Sequence, residues 1–208
     1  MKKITLFSLF ISFLFILSCS HYVTIRPNID VTTTIANQLD FKVGLFIPPE
    51  IKELMMQDKG NWANKYSFNV GEAVSSIIYK SFSRVFRYVE ILETYPTEMM
   101  ISEREFDFVA IARLTEANVG LNVQQGFFKN TASGNTQISA GVSFFDSKLI
   151  QFTSIQATGT GMGDEEIDLL SSGKSEFSVS VESAIRSLGN NLVQQIYGNY
   201  DIRKLADK

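Results

Sequence analysis

Two residues that could carry chemistry occur once each in this chain of 208 residues, Cys19 and His21. A thiolate or serine nucleophile needs a base, usually a histidine oriented by a third group. A zinc site needs three or four Cys, His or carboxylate ligands. With no second histidine and no other cysteine, the chain offers no His/Cys metal set and no Cys-His or Ser-His-Asp arrangement. His21 reads as a solvated side chain, and the expectation is no catalytic residue, no metal and no cofactor.

A glycine-rich stretch, "GTGMGDEEID" at residues 159–168, offers Gly159, Gly161 and Gly163 to a phosphate and Asp164, Glu165, Glu166 and Asp168 to a cation. No GK[ST] follows, the glycine spacing lacks the dinucleotide fingerprint, and the acids do not match a calcium loop. The stretch therefore reads as a flexible strand-to-helix connection. Lys80, Arg84 and Arg87 recur at i, i+4 and i+7, a basic ridge along one helix face able to meet anionic headgroups or an acidic partner. "GFFKN", residues 126–130, sits at the expected tip between two long strands. Adjacent Phe127 and Phe128 point to opposite faces there, so one is available to a partner or to lipid.

The elements that must position these residues follow from periodicity. Phe41–Ile47 is a short apolar run closed by Pro48 and Pro49, a buried strand followed by a helical turn. Val70, Ala73, Val74, Ile77, Ile78, Phe82 and Val85 repeat at helical spacing, predicting a helix over 70–86 with Asn69 as N-cap and Glu72 at the third position. Residues 87–92 continue as a strand, and Pro96 opens a short connection with a helical turn. Phe106 to about Val123 is a long strand with Phe106, Phe108, Ala110, Ala112 and Leu114 on one face. "NTASGN" at 130–135 breaks the pattern. Ile138, Ala140, Val142 and Phe144 then alternate, and Asp146-Ser147-Lys148 turns the chain into 149–157, an antiparallel hairpin. A second amphipathic helix spans 178–197, with Val181, Ala184, Ile185, Leu188, Leu192, Val193 and Ile196 on its stripe and Gly198 as C-terminal cap. The predicted fold is α+β, a two-layer sandwich: a mostly antiparallel sheet with two amphipathic helices packed on one face and the other face bare.

The N-terminus is of a different kind. Lys2 and Lys3 precede fourteen residues, Ile4–Leu17, broken only by Thr5, Ser8 and Ser12. As a helix this run is about 21 Å long, short of a hydrocarbon core of about 30 Å, and reads as a cleaved export signal. Its end, Ile16-Leu17-Ser18-Cys19, resembles the lipobox of bacterial lipoproteins, with Leu17 bulkier than the residue commonest at its position. The resemblance implies that the Cys19 sulfur accepts a diacylglyceryl group, that a peptidase cuts before Cys19, and that the new amino group is acylated as well. It covers about twenty residues and carries no fold information. With Ser20 in place of Asp after the cysteine, it implies the outer membrane, with the domain on the periplasmic side.

On this reading residues 1–18 are the signal peptide, 19–38 the lipidated N-terminus and a polar, Thr-rich tether with edge-strand character, 39–200 one α+β domain, and 201–208 a C-terminal tail. Loss of Lys2 and Lys3 leaves 17 basic residues against 22 acidic ones, which argues against nucleic acid as a partner. With Cys19 lipidated no disulfide is available, and the core holds by packing, for which seventeen Phe residues provide apolar area. The order of elements resembles that of small envelope lipoproteins of the lipopolysaccharide-assembly, lipid ABC-transport auxiliary and penicillin-binding-protein activator types. The expected function is a non-catalytic accessory in envelope assembly, transport or regulation with an envelope protein as partner. The alternatives are a lipid-binding or surface-displayed module using the bare sheet face, and a hydrolase using carboxylates such as Asp164 and Glu166.

Overall fold

The computed structural model describes residues 20–58, 65–125, 130–167 and 178–206. The described residues run β1 (Ser20–Thr24), β2 (Leu39–Phe46), α1 (Pro49–Lys52), β3 (Met55–Gln57), β4 (Lys65–Asn69), α2 (Gly71–Val85), β5 (Phe86–Leu92), α3 (Glu98–Glu103), β6 (Phe108–Gln125), β7 (Asn130–Phe145), β8 (Gln151–Ile167), α4 (Ser178–Gly198) and α5 (Tyr200–Ala206). The fold is α+β, with α2 and α4 packed together against one face of a five-stranded sheet ordered β5-β2-β6-β7-β8. Its long ladders, β6 with β7 and β7 with β8, are antiparallel, whereas β2 pairs in parallel with both β5 and β6. The parallel pairs follow from connectivity: a strand reached through a crossover helix, as β5 is through α2, returns in the same direction.

Both helical apolar stripes read from the sequence are buried. The seven apolar positions of the first helix and the seven of the second are at most 1% exposed. The two helices contribute to one core with Ile138, Ala140, Val142 and Phe144 of β7. Phenylalanines knit its centre: Phe108 meets Phe41, Phe86 and Phe144 edge-on, with ring centroids 5.2, 5.5 and 6.0 Å apart. Such pairs add about 0.5–1.5 kcal/mol each beyond their buried area.

Several boundaries differ from expectation for identifiable reasons. Asn69 does not cap α2, because the ladder claims it: it ends β4, and its carbonyl accepts from the Ile25 amide at 3.0 Å. Val70 occupies the cap position without a side-chain bond. Gly198 closes α4 without a left-handed turn; Asn199 follows and caps α5, its Oδ1 accepting from the Ile202 amide at 3.1 Å. The residues read as a C-terminal tail thus include a helix whose Ile202 is fully buried. "NTASGN" is the start of β7, paired on both sides, and does not interrupt it.

Phe106 lies outside the face of Phe108. It joins Leu92, Ile101 and Val109 in a second cluster under α3, so part of the sheet face opposite the two long helices is covered. Beyond that cluster the same face is polar, with Ser139 bonded to Thr158 at 2.8 Å and Gln137 to Glu116 at 2.8 Å. Phe41, Phe68, Phe82, Phe86, Phe108 and Phe144 lie in the helix-side core, while Phe106 and the partly buried Phe46 and Phe145 belong to the second cluster. Among the described residues no helix is long and apolar enough to cross a membrane.

Candidate functional site

The segment expected to tether the domain is built into it. β1 begins at Ser20 and pairs in parallel with β4, which in turn pairs antiparallel with β3, forming a separate three-stranded sheet ordered β1-β4-β3. It stands where β6 runs on past its short pairing with β2, and Asp58 after β3 accepts a hydrogen bond from the Leu121 amide at 3.2 Å. Alternation divides the small sheet. Val23, Phe68 and Met56 point into the core, while Tyr22 and Met55 point out, 62% and 39% exposed, with the Tyr22 hydroxyl 3.6 Å from the Met55 sulfur. His21 stands opposite Tyr66 in the register. Partial burial raises the Tyr66 hydroxyl above its ordinary value of 10.0. Cys19, one residue before β1, lies outside the described residues, as do Phe127 and Phe128.

From Ile25 to Thr33 the chain crosses both long helices. Ile25, Ile29 and Val31 are buried, and polar side chains clip the backbone between them. Lys80 of α2 donates to the carbonyls of Pro27 (3.3 Å) and Ile29 (2.8 Å) and to Asp30 Oδ1 (2.6 Å), while Ser76 Oγ donates to the Pro27 carbonyl at 3.0 Å. Asn190 of α4 accepts from the Thr32 and Thr33 amides at 2.9 and 3.0 Å. The hydrogen bond and the charge of Lys80 together hold the exposed Asp30 carboxyl below its ordinary value of 3.8.

This arrangement dismantles the expected basic ridge. Lys80 is a clip for the N-terminal segment, and Arg87 is the second residue of β5, outside the helix, 3.4 Å from Asp40. Only Lys80 and Arg84 share α2, and two of the three cations are paired with carboxylates of the same surface. Two open depressions flank them. One of about 440 Å³ includes Lys42, Tyr79, Arg87, Tyr88 and Glu90, and one of about 350 Å³ includes Asp30, Gln38, Lys80 and Arg84. A third, of about 330 Å³, lies between α5 and Phe108, Asp146 and Phe152.

The glycine-rich stretch is strand, not connection. Gly159, Gly161 and Gly163 belong to β8, paired with Ile138, Thr136 and Gly134. They alternate on the face toward α4. A Cβ on Gly159 would stand 2.0 Å from the Ala184 carbonyl oxygen, and one on Gly161 would stand 1.9 Å from that of Ser180. The glycines let the helix backbone lie directly on the strand, a packing role that period-two spacing signals and a phosphate loop does not share. Asp164, Glu165 and Glu166 occupy the end of β8, and Asp168 lies outside the described residues. Among the described residues no group of three or more His, Cys, Asp or Glu side chains is placed to hold a metal ion. The residues that sequence reasoning passed over are Tyr22 and Met55, whose exposure depends on which face of a five-residue strand is covered.

No protein-family model and no curated protein matches the chain. Similar solved structures include a neuraminyllactose-binding hemagglutinin homolog from Helicobacter pylori, 9% identical, covering 84% of this chain and 96% of that one with a TM-score of 0.42. They also include a minor lipoprotein from Acinetobacter baumannii, 12% identical over 78% and 95% of the two chains with a TM-score of 0.40. A lipoprotein from Neisseria meningitidis is 13% identical over 76% and 99%, with a TM-score of 0.32. With every one of these TM-scores below 0.5, the likeness assigns this chain neither a family nor an activity.

Proposed function

We propose that this chain is a bacterial envelope lipoprotein, held in the outer membrane by lipid on Cys19, and that its α+β domain acts on the periplasmic side as a non-catalytic accessory in envelope assembly, transport or regulation. The observation that carries the reading is the order of residues before the domain: Lys2 and Lys3, the apolar run, then Ile16-Leu17-Ser18-Cys19 immediately ahead of β1. Acylation at that position anchors by burying methylenes at about 0.8 kcal/mol each, which holds stably once two or three chains are present. A domain held at its membrane by lipid needs no catalytic or spanning element of its own and keeps the surfaces that face away from the bilayer for an envelope protein partner. The polar character of the sheet face opposite the long helices favours such a partner over an acyl-chain cargo.

Mass spectrometry of the mature N-terminal peptide tests the anchor. The expected peptide begins at Cys19 and carries diacylglyceryl plus acyl mass, and Cys19→Ser leaves an unprocessed precursor. An unmodified peptide beginning elsewhere overturns the reading. In-cell photocrosslinking from exposed surface positions tests the accessory role, with a reproducible envelope-protein adduct expected; adducts to lipid alone would overturn it.

A further inference from the structure

We propose that the outer face of the three-stranded sheet β1-β4-β3 docks on the phospholipid surface, with the Tyr22 and Met55 side chains at headgroup level; this rests on the anchor reading above. The argument begins from the missing tether. β1 starts at Ser20, so in a mature chain beginning at Cys19 no residue separates the acylated cysteine from a hydrogen-bonded strand. At about 3.3 Å per residue, the Tyr22 backbone stands about 10 Å along the chain from Cys19, comparable with the depth of the headgroup layer. The first strand therefore cannot leave the membrane surface while the lipid is inserted.

Which side of the sheet faces the bilayer follows from its chemistry. By alternation the outer-face positions of the three strands are Ser20, Tyr22, Thr24, Met55, Gln57, Lys65, Ser67 and Asn69, and none of them is acidic in a chain with 22 acidic residues. Nothing on that face is repelled by anionic headgroups. A tyrosine ring with a free edge and a thioether suit the interface between water and acyl chains, where amphipathic rings concentrate. An end-on pose would instead turn toward the headgroups the ends of the long strands, because Asp58 at the Ser20 end of the small sheet meets Leu121 well along β6. Those strand ends include Asp164, Glu165 and Glu166.

The test uses the full lipidated protein in vesicles of phosphatidylethanolamine and phosphatidylglycerol. A cysteine introduced by Tyr22→Cys is the only free thiol once Cys19 is acylated. It takes an environment-sensitive fluorophore, as do Gln57→Cys on the same face and Lys148→Cys in the β7–β8 turn. The labels at positions 22 and 57 should be quenched by shallow spin-labelled lipid and show several-fold lower iodide quenching than the label at 148. If the protein floats with the vesicles and positions 22 and 57 are as open to iodide as 148, the docking is wrong and the anchor stands. Protection from iodide without quenching by lipid means that a second copy covers the face, which overturns the docking equally. A protein that does not float, with an unmodified N-terminal peptide, removes the anchor and the docking with it.

Discussion

Gly161 shows most directly how one residue type sets the packing of this domain. Because a Cβ there would fall 1.9 Å from the Ser180 carbonyl oxygen, Gly161→Ala must push α4 off β8. The expected cost is about 1–3 kcal/mol, the range of overpacked cores, measured as a lowered urea midpoint with an unchanged slope. Lys80 acts at the surface by charge and hydrogen bonding. The Asp30 carboxyl is held below its ordinary 3.8, so the pairing contributes its full stability above that value and loses it as pH falls through the lowered one. Asp30→Asn should therefore narrow its stability gap to the parent protein as the solution is acidified, and a gap that widens toward low pH would refute the assignment.

Among the elements, β6 carries the least obvious device. Leu114 pairs with Ala140 and Glu116 with Ser139, leaving Thr115 as an extra residue in the strand. Before this bulge the even-numbered side chains face the core, as Phe108, Ala110 and Ala112 do; after it the odd-numbered ones do, as Val119 and Leu121 do. Without the bulge the second half of the strand would turn its apolar residues to water. Deleting Thr115 should leave every remaining pair in register and give a folded protein with a cooperative melt. Deleting Ala112 shifts the strand against β7 and should abolish that melt. Circular dichroism on the two deletions makes the comparison.

At the scale of the whole molecule, the two chain ends described are structural parts of the domain. The N-terminal segment closes over α2 and α4, and α5 buries Ile202 in the main core. Ile202→Ala should cost about 2–5 kcal/mol, as other buried aliphatic truncations do. A melting temperature equal to that of the parent would show that α5 is dispensable.

The two amphipathic helices and the 138–144 strand were legible in the sequence, because each is a local pattern, a repeat of 3.6 or 2.0 residues. The tertiary structure decided what depends on partners far along the chain. The ladder took Asn69 from the helix it was expected to cap. The bulge at Thr115 became visible only against the register of β7, and the three glycines of β8 acquired their role only when α4 lay on them. Lys80, Arg84 and Arg87 share a spacing, yet whether they share a surface depends on where α2 stops, and it stops at Val85. Periodicity reads one chain segment against water; pairing, close approach and exposure are properties of two segments, and folding alone brings the second one into place.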